Sequence, residues 1–377
     1  MDANPLISSG STAPANTELL GKKPCPPDGE WMAGGLESVP LCPVCNSARR
    51  EKLHTDLQDR VFFCAPGKWQ LYRCLDCGAG FLDPRPNPET IGEAYRVYYT
   101  HEKTGGKAER PSNFRKRFRL KMRNGYLNAA FGQKFAVASP LAGIFCSATK
   151  KRETARWARH LRLPDREPRL LDVGCGNGAF LAEIRAGGWE VYGVEPDAKA
   201  VAACRKAGLV VKQGMLSPDS FPEDFFAAIT LSHVIEHLHD PVGTLRLCHK
   251  FLRPGGTLWI ATPNLQAFGH TRFGRDWMAL DAPRHLVLFT PATLKTALKK
   301  AGFATCSDPL PTEGAKFLFR ASDAVANGRD PFNSPGHSFW DKWRLKREAR
   351  QADRQVKSRP ELTEELVMMT TKQQGHE

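Results

Sequence analysis

Leu170-Leu-Asp-Val-Gly-Cys-Gly-Asn-Gly178 decides the fold. Arg169–Val173 reads as a short apolar strand, and Ala179–Ala186 as a helix. Between them, three glycines at alternate positions let the backbone turn sharply and approach a ligand without a Cβ clash. A turn that leaves a strand and opens a helix is where an open α/β sheet binds its ligands. The spacing is G-x-G-x-G, whereas the dinucleotide pattern is G-x-G-x-x-G. Glu195 stands 19 residues beyond Gly176, at the end of the next strand, where a carboxylate can accept two ribose hydroxyls. A tight turn with a helix-capping acid nearby would share the glycines, but not the strand, helix and acid together.

Outward from the loop, strands and helices alternate. Glu190–Val194, Leu209–Lys212, Phe225–Leu231 and Thr257–Ala261 read as strands. Asp197–Ala207, Pro241–Phe251 and Pro291–Ala301 read as helices between and after them. This order predicts an α/β fold, a doubly wound and mostly parallel sheet with helices on both faces. Trp340–Lys357 reads as a charged helix, and Glu365–Thr371 as a last strand.

Upstream stand Cys42-Pro-Val-Cys45 and Cys74-Leu-Asp-Cys77, with 28 residues between the pairs. Four thiolates in two C-x2-C knuckles suit a tetrahedral, structural Zn²⁺ with no position open for catalysis. Eleven cysteines, an odd number, in a chain of 377 residues do not call for a disulfide scaffold. The expected compartment is the reducing cytoplasm. No apolar run reaches the ~18 residues of a membrane helix. Residues 101–160 carry 15 Lys and Arg against 3 Glu, which points to a solvated face or an anionic partner. The expected organisation is a disordered leader (1–38), a zinc-ribbon module (39–90), a basic helical linker or cap (91–160) and a ligand-binding α/β domain (161–377) with a helical insertion before its last strand.

On the glycine loop, on Leu231-Ser-His-Val-Ile-Glu-His-Leu-His-Asp-Pro241 and on Leu252-Arg-Pro-Gly-Gly-Thr-Leu-Trp-Ile-Ala-Thr-Pro-Asn264, residues 165–305 resemble class I S-adenosylmethionine (SAM)-dependent methyltransferases. The resemblance implies a Rossmann-like sheet of seven strands. It implies that Asp172, Gly174, Cys175, Gly176 and Gly178 hold the methionine end of SAM, and Glu195 the ribose. It also implies that Met215 and Leu216 flank the adenine, and that Ser232 and His233 lie near the sulfonium. The ribbon, Asp83-Pro-Arg-Pro86 and a tyrosine helix ahead of such a domain look like a bacterial subfamily that methylates nucleotide-linked sugars, some at carbon.

Methyl transfer aligns donor and acceptor and removes a proton from a poorly acidic acceptor. His233, His237 and His285 are the candidate bases, with Glu236 sharing a helical face with the first two. The same spacing fits a polar helix start. Trp277, Arg284 and His285 sit in a segment after the fifth strand that resembles the subfamily's substrate cap. There Arg284 could pair with a phosphate and Trp277 could stack on a ring, or both could simply pack. The expected partner is therefore a small, phosphate-bearing molecule. An RNA methyltransferase and a non-catalytic scaffold with a SAM fold are the alternatives.

Overall fold

The computed structural model describes residues 27–96, 114–142, 147–310, 312, 314–332 and 337–374. The expected leader falls largely outside these, as does much of the linker with Tyr98 and Tyr99. In chain order the first strands are β1 (Leu36–Glu37), β2 (Arg50–Leu57), β3 (Trp69–Cys74), β4 (Gly80–Leu82) and β5 (Arg85–Pro86). Two helices follow, α1 (Phe114–Phe131) and α2 (Ala148–Trp157). The alternating part runs β6 (Arg169–Val173), α3 (Ala179–Arg185), β7 (Glu190–Glu195), α4 (Ala198–Lys206), β8 (Val210–Gln213), β9 (Phe226–Ser232), α5 (Pro241–Phe251) and β10 (Leu252–Pro263). The remainder is α6 (Phe268–Phe273), β11 (Val287–Leu288), α7 (Pro291–Lys300), α8 (Ala315–Ala326), α9 (Phe339–Gln355) and β12 (Glu365–Thr371).

The chain divides into two units, and neither is continuous in sequence. One takes Met1–Tyr99, His233–Leu245 and Ile260–Met368; the other takes Thr100–Ser232, Arg246–Trp259 and Met369–Glu377. The chain therefore passes between them after Tyr99, Ser232, Leu245, Trp259 and Met368.

All six strands of the large sheet contribute residues to the second unit, in the order β12-β10-β9-β6-β7-β8. Strand β6 lies parallel to both neighbours, with Asp172 level with Gly193 of β7 and Thr230 of β9. Its four residues Leu170–Val173 are buried, as are six of the seven in β9. Such unbroken apolar runs belong to strands covered on both faces. Strand β12 runs antiparallel to β10, because Gly255 bonds to Lys372 and Asn264 to Glu364.

The resemblance implied seven strands, and the described residues form six. The chain after α7 carries Leu310 alongside β12, with its N–H donated to Val367 O at 2.9 Å, but no strand develops. Pro309 has no N–H to give a ladder there. Strand β10 is longer than expected. Its Arg-Pro-Gly-Gly opening reads as a turn, yet Gly255 and Gly256 are held in the sheet by Lys372.

In the first unit, β2, β3 and β4 form an antiparallel ribbon, and β11 joins it in the order β11-β4-β3-β2. Phe81, fully buried, is level with Tyr72 on one side and Val287 on the other. The ribbon is thus completed by a strand some two hundred residues downstream. Helices α8 and α9 pack through Ala315 and Phe319 against Leu345, Ala349 and Ala352, an i, i+4, i+7 stripe.

Candidate functional site

The glycine loop has Gly174, Gly176 and Gly178 at φ of 68°, 53° and 74°. Left-handed backbone is costly for a residue with a Cβ. At Gly178 a Cβ would also meet Leu209 Cδ1 at 2.5 Å and Cys204 Sγ at 2.8 Å, so this glycine lets α3 start hard against its neighbours. At Gly176 a Cβ would meet nothing within 4 Å. The loop is closed at one glycine and open at the other.

Glu195 is tied to that open glycine. Its Oε2 accepts the Gly176 N–H at 2.8 Å, and its Oε1 accepts the Asp197 N–H at 3.0 Å. Burial pushes its carboxyl upward, and these two N–H groups only partly offset that. Gly214 donates its N–H to Glu195 O at 3.0 Å, Met215 is 61% exposed, and Leu216 is half-buried. Cys175 is buried, and Ser232 closes β9 half-buried. A glycine concavity with free backbone approach and an acid fixed beside it fits the nucleoside and amino-acid ends of SAM.

Asp172 behaves differently from the expectation. It is 2% exposed, pairs with Arg159 and accepts the Thr230 hydroxyl at 2.7 Å. Arg159 also lies 3.6 Å over the Phe180 ring. Asp172 therefore braces the loop from beneath rather than offering a free carboxylate. Arg159 had no signal in the sequence, because it stands in a basic run that reads as surface.

The four cysteines converge. Cys42 and Cys77 sulfurs are 3.6 Å apart, and those of Cys45 and Cys74 3.4 Å. Zn–S bonds of about 2.3 Å in a tetrahedron put sulfurs roughly 3.8 Å apart. Each knuckle closes alike: Asn46 N–H bonds to Cys42 O at 2.9 Å, and Gly78 N–H to Cys74 O at 3.0 Å. Both closing residues are left-handed, at φ 65° and 79°. A hydrogen bond from Cys77 draws the Cys42 thiol down to about 5, while burial raises Cys45 to about 11. Such crowded sulfurs fit a divalent cation as counter-charge. His54 and Cys64, which lie between the pairs in sequence, stay out of the cluster.

The histidines differ in their partners. His233 Nε2 is 2.6 Å from Glu365 Oε1, and its Nδ1 is 3.4 Å from Glu236 Oε1. Burial would lower its pKa, but the hydrogen bonds and charges of Glu236 and Glu365 lift it to about 10. Carboxylates beside both ring nitrogens favour the imidazolium, which has no lone pair to take a proton, so the geometry disfavours His233 as the base. His237 Nδ1 lies 3.0 Å from Arg284 O and 2.9 Å from the Tyr95 hydroxyl. His285 Nδ1 lies 2.8 Å from Ala279 O. A carbonyl only accepts, so both Nδ1 atoms carry protons. Burial, and then the neighbouring His285, lower His237 to about 4. The two rings stand edge to face at 4.7 Å.

Glu236 lies beneath them, fully buried. Its Oε2 accepts the Thr262 hydroxyl at 2.9 Å, while its Oε1 faces His233 Nδ1 at 3.4 Å. Burial would raise its pKa, but His233 outweighs this and holds it near 2. One ligand atom from each of Glu236, His237 and His285 lies within 4.8 Å of the others.

Arg284 and Trp277 are committed internally, which removes them from the expected substrate role. Arg284 is 0% exposed and donates to Asp59, to Asp281 and to Ala94 O at 2.9 Å. Burial alone would raise Asp59, yet Arg284 draws it down to about 2. Trp277 is 1% exposed and donates its indole N–H to Glu364 at 3.3 Å.

The alternating order, the parallel central strands and the glycine loop after β6 make a Rossmann-like α/β fold, similar to that of class I SAM-dependent methyltransferases. Residues 148–307 match the family described as a methyltransferase domain. Among curated relatives, a ubiquinone biosynthesis O-methyltransferase of Aromatoleum aromaticum is 27% identical over 150 residues, covering 36% of this chain and 64% of that one. One of Xanthomonas axonopodis pv. citri with the same description is 29% identical over 154 residues, covering 37% and 64%. The chain thus spans somewhat less than two thirds of these relatives. A solved SAM-dependent methyltransferase from Archaeoglobus fulgidus aligns with a TM-score of 0.40 and 20% identity, over 58% of this chain and 91% of that one.

Proposed function

We propose that this protein transfers a methyl group from SAM to a small, hydroxyl-bearing molecule. The observation that carries the reading is the open Gly176 with Glu195 bound to its N–H. Gly174, Cys175, Gly176 and Gly178 would hold the methionine end, Glu195 the ribose, Met215 and Leu216 the adenine, with Ser232 close by. Bound there, SAM supplies a methyl group activated by a positively charged sulfur. His237 and His285 remain the candidate bases for the acceptor's proton, through their Nε2 atoms. Glu236 and the His233 imidazolium fix their surroundings. Cys42, Cys45, Cys74 and Cys77 would bind one structural Zn²⁺ in a ribbon over residues 39–90, ahead of a transfer domain over 161–377, in a cytoplasmic enzyme.

The curated relatives' descriptions favour oxygen as the acceptor atom. A nucleotide-linked sugar, the other candidate, loses support because Arg284 is spent on Asp59 and Asp281. The test is incubation of zinc-loaded protein with methyl-labelled SAM and a panel of phenols, nucleotide-linked sugars and RNA, beside calorimetric titration with SAM. Uptake of SAM and label on a small hydroxyl compound are expected. Absence of SAM uptake overturns the proposal. His237→Ala and His285→Ala are expected to keep SAM affinity, and loss of the base costs about 10²–10⁴ in turnover. Full turnover in both variants removes the histidines from proton transfer.

A further inference from the structure

Helix α9 has two faces of opposite character. Leu345, Ala349, Ala352 and Val356 are buried, the first three against α8. On the outer side, the first turn presents Phe339, Trp340 and Trp343, which are 73%, 72% and 52% exposed. Large aromatics in that state are unusual on a globular surface and mark interaction sites when they cluster. Beyond them the same side carries Lys346, Arg347, Arg350 and Arg354, all exposed, and Lys342 lies between Trp340 and Trp343. The helix has three acids, and each is engaged: Asp341 by Ser338, Glu348 by Arg272, and Asp353 by the Ala315 N–H. The outward side is therefore aromatic at one end and uncompensated positive along the rest.

We infer that the outer face of α9 docks on an anionic lipid bilayer, with Phe339, Trp340 and Trp343 entering the headgroup region and the cations meeting lipid phosphates. An amphipathic helix lying in an interface puts aromatic and aliphatic groups into the acyl boundary and Lys and Arg among the headgroups. Indole rings suit that depth because they are apolar with one polar edge. Single-stranded nucleic acid is the poorer fit, since its grooves alternate rings and cations along a track. Here the rings are gathered in one turn. The aromatic–cation contact on this face, Arg347 at 5.7 Å from the Trp343 ring, leaves the indole largely open. No described helix is long and apolar enough to cross a membrane.

The full chain is sedimented with phosphatidylcholine vesicles, with and without phosphatidylglycerol. Binding about tenfold stronger to the anionic vesicles is expected, weakening as salt rises, because each basic residue near such a surface adds its own increment. Brominated phosphatidylglycerol is expected to quench indole fluorescence. Trp340→Ala/Trp343→Ala is expected to lose about tenfold in vesicle affinity while keeping its circular dichroism and SAM binding. Lys346→Glu/Arg347→Glu is expected to flatten the salt dependence. Equal partition onto both vesicle types, wild-type binding by the tryptophan variant, RNA binding that anionic vesicles do not displace, or a dimer that the tryptophan variant dissolves would each overturn the inference.

Discussion

The glycine loop and the histidine cluster build their sites by opposite means. The loop works with backbone: three left-handed glycines set its path, and Glu195 is fixed through N–H groups rather than side chains. The cluster works with side chains: the carboxylates of Glu236 and Glu365 draw His233 towards its cation, while burial and the neighbouring His285 hold His237 neutral. A backbone site depends on which residues lack a Cβ. A charge-built site depends on every partner staying in place.

The largest effect expected from this contrast is at the buried ion network behind the histidines. Asp59→Ala leaves the fully buried Arg284 guanidinium with Asp281 alone as counter-charge, and breaking a buried pair costs about 3–5 kcal/mol. Urea unfolding measures it. A loss under 1 kcal/mol would show the network to be incidental, on the scale of a surface pair.

A smaller effect, near 3 kcal/mol, concerns Glu364. Burial lifts its carboxyl to about 7, against the N–H groups of Gly269 and Trp277 that pull it down. Because the folded pKa lies above the unfolded one, the native state holds the extra proton between roughly pH 4.5 and 7. This contribution to stability falls as pH rises through that window. Glu364→Gln is expected to lose that slope relative to wild type in melts taken across it. Parallel profiles for the two proteins would refute the buried, protonated acid.

The smallest effects sharpen the loop itself. Gly178→Ala combines a strained φ with a clash against Leu209 and Cys204, and about 2 kcal/mol of stability should go. Gly176→Ala meets no protein atom and should cost only about 1 kcal/mol, the backbone strain alone. Filling the open side should nevertheless weaken SAM binding by about tenfold, read by calorimetry. Equal SAM affinity in the Gly176 variant would move the cofactor elsewhere.

What could be read in the sequence follows the same divide. Strands β6, β7 and β9 and helix α4 fall within a residue or so of expectation, because local periodicity and glycine spacing set them. The two knuckles were legible for the same reason, their ligands being three residues apart. The roles of Asp172, Arg284, Trp277 and His233 were not. Each is settled by a partner 13 to 225 residues away, and no spacing rule pairs Arg284 with Asp59 or His233 with Glu365. The seventh strand was expected from kinship alone, and Pro309 shows why that was not enough.

The course of the chain after Tyr99, Ser232, Leu245, Trp259 and Met368 has a consequence for inheritance. A body assembled from three separated stretches of one polypeptide cannot be trimmed off at either terminus or carried away by a single recombination. The two bodies must descend together, because any one continuous deletion that removes the whole of either takes part of the other with it.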